Sequence, residues 1–596
     1  MGKLSDGPAS SVPQSAATFF SPNNNNKQQQ LNGSGGGLSS KTTTSKNLNK
    51  FPFGASAAAL LCDYLEKILV WMFADSEDPG AGPHAAGKPA GDPHYFLTGS
   101  FGPVASETDP ASGLTVSGSI PECLNGEFVQ VAPNPRFSPV SKYHWYDGFQ
   151  SLFTLLHGLN IKDGKATYVA RFVKTSKLQQ EEYYGAAKFV KAGDIYGKKG
   201  IAFVLLHNLR IMLGVLDSSN GLGTANTALV YHNNKLLALH EGDKPYIIKV
   251  LEDGDLETIG REDYGTLADR FTAHPKIDPV TGEMFGFYWK QMELPYLTYQ
   301  MFSKEGVLLE PVPITIPECV FIHDFAITEN YAIFLDLSLM MNTKFLTEGK
   351  NVFTFDPSKE ARLGLLPRYA KNESQIRWFT IPPCMIFHTV NAWEEGDEVV
   401  LIACRMPTYD FALYAAFNED KYEDSRPQLY EFKMNLKTSE ATQRLLSTLT
   451  IEFPRINDNY IGRKQRYAYG SIFDKKMTIV GVAKFDLALE PELNTRDLKI
   501  GGNIIGLFVH GDGRRGSEPL FIPRVVDKEI PEDDGYLICF VYDENKGKSE
   551  TVIIDAKTMA SEPVAVVTLP TRVPVGFHSI FVSQEQLNNQ RYKSPK

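Results

Sequence analysis

Cysteine is scarce in this chain. Six residues, at positions 62, 123, 319, 384, 404 and 539 of 596, are scattered with no CxxC pair. That excludes the common zinc clusters and leaves free thiols, the pattern of a reducing compartment. Leu401-Ile-Ala-Cys404 and Leu537-Ile-Cys539-Phe read as buried strand. Runs of Lys and Arg are missing as well. With 60 basic against 70 acidic residues the net charge is −10, which argues against nucleic acid as a partner. Arginine is absent before Arg136. The apolar core of a secretory signal is lacking, and so are a Walker-type glycine loop and an EF-hand calcium loop. Gly501-Gly-Asn503 and Gly511-Asp-Gly-Arg-Arg-Gly516 read as hairpin turns.

The first 50 residues are of low complexity, with Asn23-Asn-Asn-Asn26, Gln28-Gln-Gln30, Gly33-Ser-Gly-Gly-Gly37 and Thr42-Thr-Thr-Ser45. Such a segment cannot bury enough apolar surface to order itself, so residues 1–56 are expected to form a disordered tail. Its single acidic residue, Asp6, and its Ser and Thr content match a plastid transit peptide. Its lack of arginine does not, and a cytoplasmic protein is the expectation, with the plastid as the alternative. Residues 57–75 carry apolar side chains at 57, 60, 61, 64, 65, 68, 69 and 72, the stripe of an amphipathic helix. Asp63, Glu66 and Lys67 interrupt it, and it is too short and charged to span a bilayer. It serves either to pack on the domain or to lie on a membrane surface with Trp71, Met72 and Phe73 inserted. Residues 76–92 form a Pro/Gly linker.

Residues 93–596 read as one long all-β unit. Short apolar runs such as 228–232, 235–239, 331–335, 399–403, 536–541 and 551–554 alternate with turn signals. Those signals include Asn233-Asn234, Asp278-Pro-Val-Thr-Gly282, Glu395-Gly-Asp397 and Asp533-Asp-Gly535. No Trp-Asp blade repeat is present, so composition and periodicity leave sandwich and propeller open. Four histidines stand in similar settings: Phe271-Thr-Ala-His274-Pro, Phe321-Ile-His323-Asp-Phe, Ile386-Phe-His388-Thr-Val and Gly576-Phe-His578-Ser-Ile. A single histidine on an apolar strand is usually a hydrogen-bonded core residue. The gaps of 49, 65 and 190 residues form no local metal motif, but a fold that gathers strand ends could bring four imidazoles to one ion.

These segments resemble the carotenoid cleavage dioxygenases of plants. Residues 271–284, 322–329, 387–395 and 575–578 are similar to the stretches carrying that family's four iron ligands, and 224–231, 324–336 and 516–524 match between them. The start Met-Gly-Lys-Leu-Ser-Asp6, the helix before residue 75 and the stretch 556–566 resemble the cytosolic 9,10(9′,10′)-cleaving subgroup. The resemblance runs from about 60 to about 587. It implies a seven-bladed β-propeller with one Fe(II) per chain, held by His274, His323, His388 and His578. Helical inserts, 176–190 and 200–216, would roof the top face. It further implies that Glu241, Glu452 and Glu518 orient His323, His388 and His578, and that His274 has no such partner. His144 lies near the site without ligating, and His84, His94, His157, His207, His232, His240 and His510 are surface or packing residues.

The implied activity is cleavage of a conjugated C=C bond of a carotenoid or apocarotenoid by O2 at the 9,10 and 9′,10′ positions. Cleavage at 5,6 or 7,8, and a catalytically weakened apocarotenoid-binding paralogue, are the alternatives. A third class is an interaction propeller whose four histidines are core residues. The chain departs from the family's pattern at Ala132-Pro-Asn-Pro135, where glycine is usual. It departs again at 149–156, about four residues longer, and at Phe285-Gly-Phe-Tyr-Trp-Lys290. None of these removes a ligand; they bear on tunnel shape and regiospecificity.

Overall fold

The computed structural model describes residues 57–73, 95–137, 153–191, 195–264, 270–290, 293–410, 413, 417–494, 496–525 and 530–592. The tail 1–56, the linker 76–92, His84, His94, His144 and residues 149–152 lie outside them.

The chain is mostly β, built from antiparallel meanders that follow one another in sequence. Four-stranded sheets span 228–261, 276–314, 326–381 and 385–445. A five-stranded sheet joins strands within 108–172 to Ser579–Ser583. A ten-stranded sheet comprises one meander over 451–509 and a second that pairs 520–568 with Val116–Gly118; Arg514–Gly516 bonds to both. The turn residues explain the hairpins. Asn233 and Asn234 both take positive φ, 49° and 57°, the conformation of a tight primed turn, and Gly396 does the same at 63°. Asp278 accepts hydrogen bonds from Val280 N and Thr281 N at 2.8 and 3.1 Å, closing its turn. The same carboxylate pairs with Arg368 at 2.8 Å and Arg463 at 3.2 Å, and so ties three sheets together where all three groups are largely buried.

Two helices fill the crossover between the five-stranded sheet and the sheet at 228–261. We call them α2 (Ser176–Tyr184) and α3 (Gly197–Met212), after α1 (Ala57–Met72). They fall where the non-alternating runs predict. The face α1 packs shares only part of the stripe read from sequence, Leu65 and Leu69. Ala59 and Cys62 are buried against Leu206 and Val215, with Ala58, Leu65 and Leu69 beside them. The interrupting charges belong to this inner face: Asp63 pairs with Lys188 at 2.6 Å, and Glu66 with Arg210 at 2.6 Å. The outer face leaves Leu60, Leu61, Tyr64, Trp71 and Met72 exposed, Trp71 at 77%. All six cysteines are free, five of them buried. Ala132 sits inside the strand Gly126–Pro133 opposite Leu155 and shows no positive φ, so the missing glycine brings no strain there. Gly286 is required by space: a Cβ would lie 2.7 Å from the Phe271 ring, three residues from His274.

Segments distant in sequence interlace in two sheets, Val116–Gly118 with Ala565–Thr568 and Gly126–Pro133 with Ser579–Ser583. Gly118 and Gly126 open those pairings at φ 80° and 149°, and a Cβ on either would lie 2.3 and 2.1 Å from the carbonyls of Val564 and Val582. Only glycine tolerates such an approach. Gly126→Ala should therefore displace the strand that follows His578, at a cost of about 1–3 kcal/mol. A thermal melt should show a midpoint lowered by several degrees; an unchanged midpoint would show that this pairing is not tightly constrained.

Candidate metal centre

Each of the four histidines lies in or beside an edge strand of its sheet. His274 precedes Lys276–Ile277, His323 precedes Ala326–Ile327, His388 is inside Met385–Glu395, and His578 precedes Ser579–Ser583. Their sheets aim these edges inward, so that one nitrogen of each ring lies within 4.8 Å of the others. His274 Nε2 and His323 Nε2 are 2.9 Å apart, and His388 Nε2 and His578 Nε2 are 3.1 Å apart. Two imidazoles bound side by side to one ion at about 2.1 Å hold their nitrogens roughly 3.0 Å apart. Local irregularities set the rings. The ladder of Met385–Glu395 shifts register on both sides of Thr389, and a bulge of this kind re-aims a side chain.

Three carboxylates hold the far sides of the rings. His323 Nδ1 meets Glu241 Oε1 at 2.6 Å, His388 Nδ1 meets Glu452 Oε2 at 2.5 Å, and His578 Nδ1 meets Glu518 Oε1 at 2.8 Å. His274 has no carboxylate partner among the described residues. A carboxylate can only accept, so each paired Nδ1 is the protonated one and the facing Nε2 is a bare lone pair. His388 and His578 thus point two lone pairs at each other across 3.1 Å, an arrangement that a cation between them stabilises. The donor set fits a divalent transition metal; imidazole suits iron, zinc, copper and nickel.

The glutamates are themselves anchored. Glu241 stands beside the turn at Gly242-Asp243, and buried Asp243 fixes that turn through Gly223 N at 2.8 Å, Lys244 N at 2.7 Å and a pair with Arg261. Glu452 Oε2 also accepts from Phe453 N, where the backbone takes φ 49°. Glu518 pairs with Arg455 Nη2 at 2.6 Å, and that guanidinium also donates to Ser579 O at 2.7 Å. Burial alone would raise the Glu518 pKa, but Arg455 and His578 outweigh it and hold the carboxyl at about 2. Glu241 is likewise lowered: burial is outweighed by its bond to His323. Burial brings His578 down to about 4 against the pull of Glu518. Desolvation, and then the three neighbouring imidazoles, drive the half-buried His274 well below the usual range. For His388 the Glu452 carboxylate outweighs burial, and the pKa is raised. Neutral imidazole is the ligating form, and four of these five environments favour carboxylate or neutral histidine as required; His388 is the exception.

On its open side the centre faces an apolar cavity of about 780 Å³, part of it open to solvent. Phe387, Met406, Tyr409, Phe453, Met477 and Phe577 supply most of the wall, with Thr227 also exposed to it. A smaller apolar space beyond Phe453, Phe473, Met477 and Phe577 is closed by Phe96, Phe101 and Pro133.

Every ligand and glutamate expected from the sequence is brought to this one place. Glu452 and Glu518 are buried, whereas Glu241, beside its turn, is only partly so. The remaining histidines among the described residues are largely packing residues; His157, for example, bonds Tyr168 Oη at 2.7 Å. Sequence reasoning missed Asp324, Lys276, Arg455 and the Phe453 backbone. Their only signal was position, one to three residues from a ligand or its glutamate.

The comparisons agree with this geometry. A family model described as retinal pigment epithelial membrane protein matches residues 101–583. The chain is 54% identical to the carotenoid 9,10(9′,10′)-cleavage dioxygenase 1 of Phaseolus vulgaris, over 89% of this chain and 94% of that one. It is 53% identical to the protein of the same description from Arabidopsis thaliana, over 89% and 95%. Among solved structures, cobalt-substituted Synechocystis apocarotenoid oxygenase is 25% identical with a TM-score of 0.66, over 83% of this chain and 99% of that one. A Pseudomonas brassicacearum lignostilbene dioxygenase shares the fold with a TM-score of 0.68.

Single His→Ala changes at 274, 323, 388 or 578 should each greatly reduce bound metal, measured by elemental analysis of the purified protein. Two variants retaining full metal would refute the ligand assignment. Glu452→Gln and Glu518→Gln should keep the fold but lose about 10–100-fold in metal affinity.

Proposed function

The chain belongs to the carotenoid oxygenase family, and on that ground we propose that it is an iron-dependent dioxygenase of carotenoids or apocarotenoids. The reaction adds both atoms of O2 across one conjugated C=C bond, which breaks to give two carbonyl products. One observation carries the reading: four imidazoles converge within 4.8 Å, and three of them, His323, His388 and His578, present bare Nε2 lone pairs beside an aromatic, apolar cavity. Iron, when bound, supplies the redox partner that lets dioxygen react with a closed-shell polyene. The protein's part is positional. Glu241, Glu452 and Glu518 retain the Nδ1 protons and fix the ring angles. Phe387, Phe453, Phe577 and Met477 exclude water and hold a hydrocarbon chain over the centre, so that placement selects the bond. No side chain is needed as general base or nucleophile.

The names of the close relatives support the 9,10 and 9′,10′ bonds as the site of cleavage. The sheet inventory supports a seven-bladed propeller: the five-stranded sheet, the four four-stranded meanders and the two meanders of the ten-stranded sheet make seven units. Helices α2 and α3 are then inserts of its top face. Six free cysteines fit a cytosolic protein. The exposed outer face of α1 supports contact with a membrane surface, where so apolar a substrate is met. Leu205, Met212 and Leu213 add exposed apolar side chains on and just beyond α3.

Iron-loaded protein incubated with several carotenoids should yield ionone-type ketones and a dialdehyde, identified by mass spectrometry. Products of 5,6 or 7,8 cleavage would overturn the bond assignment, and tight binding without products would mark a binding paralogue. Replacing Trp71, Met72 and Phe73 together by Ser should weaken liposome binding and slow turnover of membrane-dissolved carotenoid. A soluble apocarotenal should be cleaved as before. Equal loss on both substrates with a fallen melting midpoint would end the membrane reading.

A further inference from the structure

Asp324 follows the ligand His323 and is buried, 1% exposed. Its Oδ2 accepts from Thr389 N at 2.8 Å and from Thr389 Oγ1 at 2.7 Å. Thr389 is the residue after His388. The other oxygen, Oδ1, accepts from Phe325 N at 2.7 Å and pairs with Lys276 Nζ at 2.7 Å. Lys276 stands two residues after His274. A single carboxylate, itself one residue from one ligand, is therefore bonded to groups one and two residues from two others. The contact to Thr389 falls at the bulged part of Met385–Glu395, where the ladder to its neighbour is irregular on both sides. The Thr389 amide is given to Asp324. Thr389 Oγ1 lies 3.1 Å from Phe325 O as well, so backbone and side chain of the two segments interlock.

We propose that Asp324 is a positioning residue that sets the mutual arrangement of the His274, His323 and His388 imidazoles by joining the three segments that carry them. The proposal rests on the reading of the four histidines as one metal centre. Its action differs from that of the three glutamates. Each glutamate holds one ring by its Nδ1, and none spans two ligand segments by itself. Asp324 touches no ring; it fixes the distance between the backbones from which the rings project. The fourth ligand has a separate clamp in Arg455, which holds both Glu518 and Ser579 O. Three histidine segments are thus joined through Asp324, and the fourth is joined through Arg455 to the strand that carries Glu452.

The test uses the full chain loaded with cobalt(II), whose visible spectrum reports ligand geometry independently of activity. Thr389→Val removes one hydroxyl at nearly constant shape, Thr389→Ser restores it, and Asp324→Asn removes the charge. Cobalt affinity by chelator competition, the cobalt spectrum and the melting midpoint of metal-free protein are measured on each, with His388→Ala alongside. Thr389→Val should bind cobalt roughly tenfold more weakly, and Asp324→Asn about 10–100-fold, both with an altered spectrum; Thr389→Ser should match the parent. If Asp324→Asn does not fold, Thr389→Val against Thr389→Ser decides. Lower melting midpoints with parental affinity and spectrum in Thr389→Val and Asp324→Asn would overturn the proposal and leave the metal centre standing. Parental cobalt binding by His388→Ala would overturn the metal centre, and the proposal with it.

Discussion

The structure depends on where three protons sit. Glu241, Glu452 and Glu518 each claim the Nδ1 hydrogen of a buried imidazole, and the opposite nitrogen is left as an unshared pair. Three such pairs, and the imidazole of His274, are pressed into a space where one nitrogen of each ring lies within 4.8 Å of the others. Lone pairs so close repel, and burial removes the water that would soften the repulsion. The fold must therefore hold the rings together against that repulsion when no cation is present, and gains when one binds. Metal affinity and folding are coupled through this one constraint.

Holding the rings is a task for sheet edges rather than loops. Each ligand lies in or beside an edge strand, so its backbone is fixed on one side by a complete meander while the other side is free to face the centre. Edge strands normally risk pairing with other chains. Here the inward edges are occupied by polar side chains: Thr389 by Asp324, the Asp278 turn by Arg368 and Arg463, Ser579 by Arg455. The buried charges that look expensive one by one are thus the means by which separate sheets are placed relative to one another.

This division explains what could be read from the sequence. The four histidines and three glutamates were legible because the stretches around them resemble those of the carotenoid cleavage dioxygenases; taken alone, single histidines on apolar runs with no local metal motif left a core role open. Turns such as Asn233-Asn234 were legible because the required φ selects the residue type. The helix at 57–72 was visible in its periodicity, but its packed face was not. Its sequence stripe and its inner face differ, because Asp63 and Glu66 are drawn inward by Lys188 and Arg210, more than a hundred residues away. Asp324 and Arg455 were invisible for the same reason, since their roles lie in partners distant in sequence. The positive φ of Phe453 falls on a residue type that gives no warning of it.

Charge counting shows why the surroundings suit a divalent ion. The groups bonded to the ligand rings or their segments include four carboxylates, Glu241, Asp324, Glu452 and Glu518, and two cations, Lys276 and Arg455. Their formal sum is −2, and the four ligands add nothing in the neutral form. A doubly charged ion brings the cluster to neutrality, which is what a poorly hydrated interior favours. In the absence of metal a proton is the only other cation that the rings can take, and His388 is the imidazole that its carboxylate raises. On the cavity side the histidine rings stand among Phe387, Met406, Phe453, Met477 and Phe577, with Glu452 the carboxylate that also reaches the wall. The apolar chamber and the charged shell are then two sides of one wall, and the charges that fix the rings lie mostly behind them.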